Sequence, residues 1–131
     1  MEIIKTYIDW CDSNYGACSD LIPGCVALDS SFSGVKRAWE ETVAFHLEGL
    51  PADEVPDCLK GEYTFEYELT TQALLHRYDG IISRAAISRV TGIDQKQLAH
   101  YMSGFRTPRP ARRKQIVEGL HQLGKELLSV H

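Results

Sequence analysis

The 131 residues hold 44% hydrophobic and 24% charged side chains at a net charge of −4, a globular balance and not that of a disordered chain. That length suits one ordinary domain or two small ones. No apolar run approaches the roughly 20 residues of a membrane span, and MEIIKTYIDW shows neither a basic leader nor a small-residue cleavage site, so a cytoplasmic protein without membrane contact is expected.

Glu2 to Trp10 is rich in β-formers (Ile3, Ile4, Tyr7, Ile8, Trp10) and ends at the polar tetrapeptide Cys11-Asp12-Ser13-Asn14. Tyr15-Gly16-Ala17-Cys18 resumes an extended segment, so residues 2–19 read as a β-hairpin. A Pro23-Gly24 turn leads to a third short strand, Cys25 to Leu28. Asp29-Ser30-Ser31 is a helix-start cluster. From Ser33 to Gly49 the pattern is helical, with Val35, Trp39, Val43 and Leu50 on one stripe and Ala38, Thr42, Phe45, His46 and Leu47 widening it. His46 reads as a core histidine more readily than as a metal or catalytic one.

Leu50 to Gly61 has a linker's composition, with two prolines and three acids before Lys60. Glu62 to Leu69 then alternates polar and apolar residues at the period of a half-buried strand. The resulting βββαβ order predicts a small sheet with one helix on its face, an α+β layer. Thr70-Thr71 caps a further helix, Gln72 to Tyr78, and a last one spans Arg109 to Val130 with Ile116, Leu120, Leu123, Leu127 and Leu128 as its apolar stripe.

Between those two helices lies the most informative stretch, Ser83 to Gly104 (SRAAISRVTGIDQKQLAHYMSG), which reads as a helix-turn-helix. Ile87-Ser88 places an apolar and then a small residue on the first helix. Gly92 supplies a left-handed turn, Ile93 tucks into the core and Asp94 caps the second helix. Leu98 and Tyr101 anchor that helix, while Gln95, Lys96, Gln97 and His100 point away as candidates for reading base edges. Gly104 stops it, and Pro108 and Pro110 delay the next one. Arg84, Arg106, Arg109, Arg112 and Arg113 are candidate phosphate contacts, the last two in a helix first turn where cations oppose the dipole unless an anion lies nearby. The plain structural alternative is a bundle corner without a nucleic-acid role.

Cys11, Cys18, Cys25 and Cys58 form no C-x-x-C pair and read as free thiols, small buried residues rather than a zinc site. Charge is split unevenly. Residues 1–70 hold four Lys/Arg against fourteen Asp/Glu, net −10, and residues 71–131 hold ten against four, net +6. An acidic half beside a basic half points to a cationic partner in front and a polyanion behind, unless the charges merely solvate two surfaces.

The order of these segments resembles the HicB antitoxin family: a first strand, a hairpin, the Ile22-Pro23-Gly24-Cys25 turn, then Asp29-Ser30-Ser31 opening the helix from Val35 to Leu50. The second half resembles the Xre-type helix-turn-helix that many HicB proteins carry, so the likeness covers nearly the whole chain. It implies a partial RNase H-like domain at 1–70 that binds a small basic HicA-like toxin, an mRNA-cleaving ribonuclease. It further implies a DNA-binding domain at 71–131 that represses its own operon, and a homodimer or homotetramer, since one helix-turn-helix reads only a half-site. The segment at Leu50 to Gly61 is longer than the family's simplest pattern needs. No toxin-contact residue carries over, and no cofactor, metal or catalytic residue is expected.

Two other classes compete. A metal-dependent nuclease would use Asp9 on the first strand, but no spacing brings Glu40, Glu41, Glu66 or Glu68 to it. A stand-alone repressor would keep the DNA-binding half and use the first domain to sense a ligand or another protein.

Overall fold

Alternation of Ile4, Thr6 and Ile8 with Ile3, Lys5 and Tyr7 builds the first strand, β1 (Glu2–Cys11), in a computed structural model that describes residues 1–131. A two-residue turn joins it to β2 (Asn14–Cys18), with Cys11 opposite Asn14 and Tyr7 opposite Cys18. Both turn residues take positive φ, 50° at Asp12 and 67° at Ser13, the backbone twist that suits a tight hairpin but that residues with a Cβ resist. Ser13→Gly is therefore expected to stabilise the hairpin by about 0.5–1 kcal/mol, read as a higher denaturation midpoint at unchanged slope.

Ile22 to Cys25 forms a turn closed by Cys25 N donating to Ile22 O at 3.3 Å, with Pro23 setting the first corner and Gly24 at φ 88° the second. β3 (Ala27–Asp29) then pairs antiparallel with β2. Asp29 takes the bonds of Ser31 N and Ser31 Oγ, both at 2.9 Å, and these donors hold its carboxyl below the usual carboxylate range. Ser31 in turn caps α1 (Phe32–Glu48) by accepting from Gly34 N at 3.0 Å.

Since β1, β2 and β3 alternate in direction, β3 runs with β1. Helix α1 carries the chain across to β4 (Tyr63–Leu69), which lies beside β1 and parallel to it. The mixed sheet has the order β3-β2-β1-β4. Val35, Trp39 and Val43 of α1 are buried with Ile4, Ile8, Tyr15 and Ala17, and the Trp39 ring meets Phe65 edge-on at 5.8 Å. Tyr67 reaches Glu40 at 3.5 Å. Burial and that carboxylate push its phenol up to about 12, so it remains a donor.

Contacts divide the chain at Thr70 into two units, Met1–Thr70 and Thr71–His131, at the residue where the charge changes sign. The second unit is helical throughout: α2 (Thr71–Asp79), α3 (Arg84–Thr91), α4 (Gln95–Ser103) and α5 (Pro110–Leu128). Its core gathers Leu75, Ile87, Ile93, Leu98, Tyr101, Met102 and Ile116, with Leu74, Ile82 and Leu120 at the margin. The whole is a mixed α+β chain of four strands and five helices. No helix is long and apolar enough to cross a membrane.

Several expectations from the pattern need correction. Phe45 is 79% exposed rather than part of the α1 core stripe, because two residues past Val43 is roughly 200° around a helix. Leu50 lies beyond α1 and His46 is only half-buried. Leu127 and Leu128 are exposed. They lie roughly 17 Å along α5 from Ile116, beyond the residues that bury it. Of the three evenly spaced cysteines only Cys25 is buried, and burial raises its thiol; Cys11 and Cys18 are exposed at the ends of their strands. The third strand starts at Ala27, since the turn uses Cys25. The linker is not structureless: Ala52–Glu54 and Asp57–Leu59 form short 3-10 turns, and Leu59 is buried.

Candidate nucleic-acid interface

The local chemistry of Ser83 to Gly104 does what its residue types predict. Ser83 Oγ accepts from Ala86 N at 3.1 Å and opens α3. Gly92 ends α3 at φ 75°, its N–H donating to Ser88 O at 2.9 Å. Thr91 adds a bond that sequence reading did not foresee: its hydroxyl donates to Ile87 O at 2.7 Å and accepts from Ile93 N at 3.3 Å, which fixes the turn from inside. Asp94 caps α4 by accepting from Gln97 N at 2.9 Å, and Gly104 ends it at φ 81°.

Leu98, Tyr101 and Met102 hold α4 inward, and Met102 O accepts from Gln72 Nε2 of α2 at 3.0 Å. His76 Nε2 lies 2.8 Å from the same carbonyl. The opposite face carries Gln95 and Lys96, both exposed at the helix start. Gln97 and His100 are half-buried and constrained. Tyr101 donates its hydroxyl to Gln97 Oε1 at 2.9 Å, and the His100 ring meets Phe105 edge-on at 5.0 Å. Phe105, 71% exposed, is a member of this surface that the sequence reading missed; an aromatic between Gly104 and Arg106 in a turn was the available signal.

The arginines differ in freedom. Arg84, at the start of α3, and Arg106 and Arg109, in the loop before α5, are exposed and in no ion pair. Arg106 leans toward the Phe105 ring, 5.7 Å from its centroid. Arg112 is bound to Gln115 Oε1 at 3.1 Å, while Gln115 Nε2 donates to Thr91 O at 2.7 Å, so this pair ties α5 to the end of α3. Arg113 donates to Thr71 Oγ1 at 3.0 Å and links α5 to the first residue of α2. The helical unit thus carries an exposed Gln-Lys pair on a capped helix start and, elsewhere on its surface, three exposed guanidinium groups without ion pairs, at a net charge of +6.

Comparison of the chain with models of protein families, with curated proteins and with solved structures found no match.

In the first unit Asp9 is committed locally: its Oδ1 accepts from Trp10 N and from Thr70 Oγ1, both at 2.8 Å. No three His, Cys, Asp or Glu side chains gather where one metal ion would sit.

Proposed function

We propose that this chain is an antitoxin and autorepressor. Its first unit, read as a partial RNase H-like domain, binds and neutralises a small basic HicA-like mRNA interferase. Its second unit, read as an Xre-like helix-turn-helix, binds operator DNA as part of a homodimer or homotetramer. The observation that carries the reading is the capped, glycine-turned α3–α4 pair presenting Gln95 and Lys96 within the basic unit. The acid excess of the first unit supports a basic partner, and the order β3-β2-β1-β4 with a helix before β4 agrees with a partial RNase H-like domain.

In this reading α4 enters the major groove, Gln95, Lys96, Gln97 and His100 meet base edges, and Arg84, Arg106 and Arg109 meet phosphates. Arg112 and Arg113 contribute positive charge near the start of α5 while holding that helix to its neighbours.

The test is anisotropy titration of the full-length protein against duplex DNA from upstream of its own gene. Alanine at Gln95, Lys96 and Gln97 together should reduce binding to the level of unrelated DNA, with about 1–3 kcal/mol lost per good base contact. Alanine at Arg84, Arg106 or Arg109 should weaken binding on all sequences and lower the salt slope by about 1 each. Operator affinity unchanged by the triple substitution would refute the groove assignment. The partner half is tested by tagging the protein in its native host and asking whether a small basic, growth-arresting protein copurifies at near-equal stoichiometry.

A further inference from the structure

The sheet ends at β4, and no further strand pairs with the outer edge of that strand. All seven of its residues pair with β1 in an unbroken register, from Glu2 opposite Tyr63 to Ile8 opposite Leu69. The flanking bonds fix which backbone groups face which way. Glu62 O accepts from Glu2 N at 3.0 Å, and Thr70 N donates to Ile8 O at 2.9 Å, so the even-numbered residues turn their amides toward β1. By alternation Tyr63, Phe65 and Tyr67 point N–H and C=O away from the sheet. Proteins blunt such edges with charged side chains (lysine above all), proline, a bulge or a very short strand, and here the only charges are the carboxylates of Glu66 and Glu68. YTFEYEL has neither lysine nor proline, and its register has no bulge.

Two rows of side chains border this edge. Toward α1, the half-buried rings of Tyr63, Phe65 and Tyr67 form a ladder with centroids 5.6 and 6.3 Å apart, backed by Trp39. On the other face Glu62, Thr64, Glu66 and Glu68 are exposed, and Lys5 is the neighbouring cation, 3.6 Å from Glu68. A second copy of the chain is a poor occupant. Antiparallel self-pairing centred on Phe65 sets Glu68 against Glu62. Centred on Glu66 it sets that residue against itself, and centred on Tyr67 it sets Glu66 against Glu68. Like charges directly opposite destabilise a strand pair.

We propose that the β4 edge docks an extended segment of a basic protein, which adds to the sheet as a fifth strand. Its Lys or Arg side chains face Glu62, Glu66 and Glu68, and its alternate apolar side chains cover the aromatic ladder. Identifying that protein as the toxin rests on the antitoxin reading; the edge chemistry itself does not. What the site recognises is a strand of alternating basic and apolar residues, held by backbone bonds to Tyr63, Phe65 and Tyr67.

Isotope-labelled full-length protein is titrated with the peptide Ac-KVKVKVKV-NH2, and with Ac-EVEVEVEV-NH2 as control, while amide exchange is followed by NMR. The basic peptide should slow exchange at Tyr63, Phe65 and Tyr67 by about tenfold or more, and the acidic one should not. Tyr67→Pro removes an outward N–H without touching the β1 ladder and should weaken binding. Tyr67→Ala removes the same ring but keeps the amide, and should bind more tightly than the proline variant; thermal melts confirm that both are folded. Equal binding by the two variants, no protection of the three amides, or a dimer that is lost in Tyr67→Pro would overturn the proposal. Failure here is separable from failure of the antitoxin reading. A copurifying basic toxin retained in full by Tyr67→Pro sinks the edge and keeps the antitoxin. Peptide protection without any toxin keeps the edge and sinks the antitoxin.

Discussion

Gly119→Ala should destabilise the helical unit by about 3 kcal/mol, a drop of roughly 10 °C or more in its melting temperature. The direction is opposite to the usual one, because alanine in place of a mid-helix glycine gains about 1 kcal/mol where there is room. At Gly119 there is none. A Cβ built there would sit 2.5 Å from Val90 O and 3.0 Å from both Thr91 Cα and Thr91 Cγ2. The obstacle is mostly backbone at the end of α3, where Thr91 is also held by its bonds to Ile87, Ile93 and Gln115, so it cannot swing aside as a flexible side chain would. Gly124, on the same helix, has no atom within 4 Å of its Cβ position, and Gly124→Ala should raise stability by about 0.5–1 kcal/mol. Differential scanning calorimetry of the two variants checks the pair. A stabilised Gly119→Ala protein would mean that α3 and α5 are farther apart than described.

Trp39→Ala should cost about 3–5 kcal/mol in the first unit, measured by denaturant unfolding. The indole is fully buried among the α1 and sheet side chains, and its loss opens a large cavity behind Phe65. Trp39→Phe should cost roughly half as much or less, for a reason beyond size. The buried Trp39 Nε1–H has no hydrogen-bond partner, so phenylalanine removes an unsatisfied donor along with the lost contacts. A Phe variant as unstable as the Ala variant would show that the donor is satisfied in solution.

These two residues also show where sequence was a good guide and where it was not. Trp39 was legible: with Val35 and Val43 it marks a four-residue repeat that only a helix buries on one side. The α3–α4 segment was legible for a related reason. Gly92, Asp94 and Gly104 act on amides and dihedral angles within a few residues of themselves, so their meaning is local, and the cap at Ser83 is of the same kind. Gly119 was not legible, since a glycine inside a helix looks like a weakness until the neighbour that needs its missing Cβ is known. The same holds for β4. Its alternation announced a strand, but its position beside β1, parallel and at the sheet's edge, depends on a chain reversal through α1. Phe45, Leu127 and Leu128 were misread because an apolar stripe was widened past the surface that its neighbours cover. Among the candidate contacts, Arg113 is half-buried and bonded to Thr71 while Arg109 is exposed, a difference that the shared guanidinium does not announce. Gln97 and Tyr101 stand four apart on α4, the spacing at which two helix side chains meet, a pairing hidden by sorting residues into inward and outward faces.

The bond from the Tyr101 hydroxyl to Gln97 bears on the proposed contact of Gln97 with a base edge. A free glutamine gives up considerable rotamer entropy when a partner immobilises it. Gln97 is restrained already, before any partner arrives, because the Tyr101 hydroxyl holds its Oε1 at 2.9 Å and the Tyr101 ring is itself locked in the core. In the proposed DNA-binding role, part of the ordering cost of recognition would thus be met during folding, while exposed Gln95 and Lys96 would meet theirs on contact. The four candidate positions of α4 are divided between two constrained ones, Gln97 and His100, and two adaptable ones, so in the proposed DNA-binding role tolerance to changes in the bound sequence should concentrate where the side chains are still free to move.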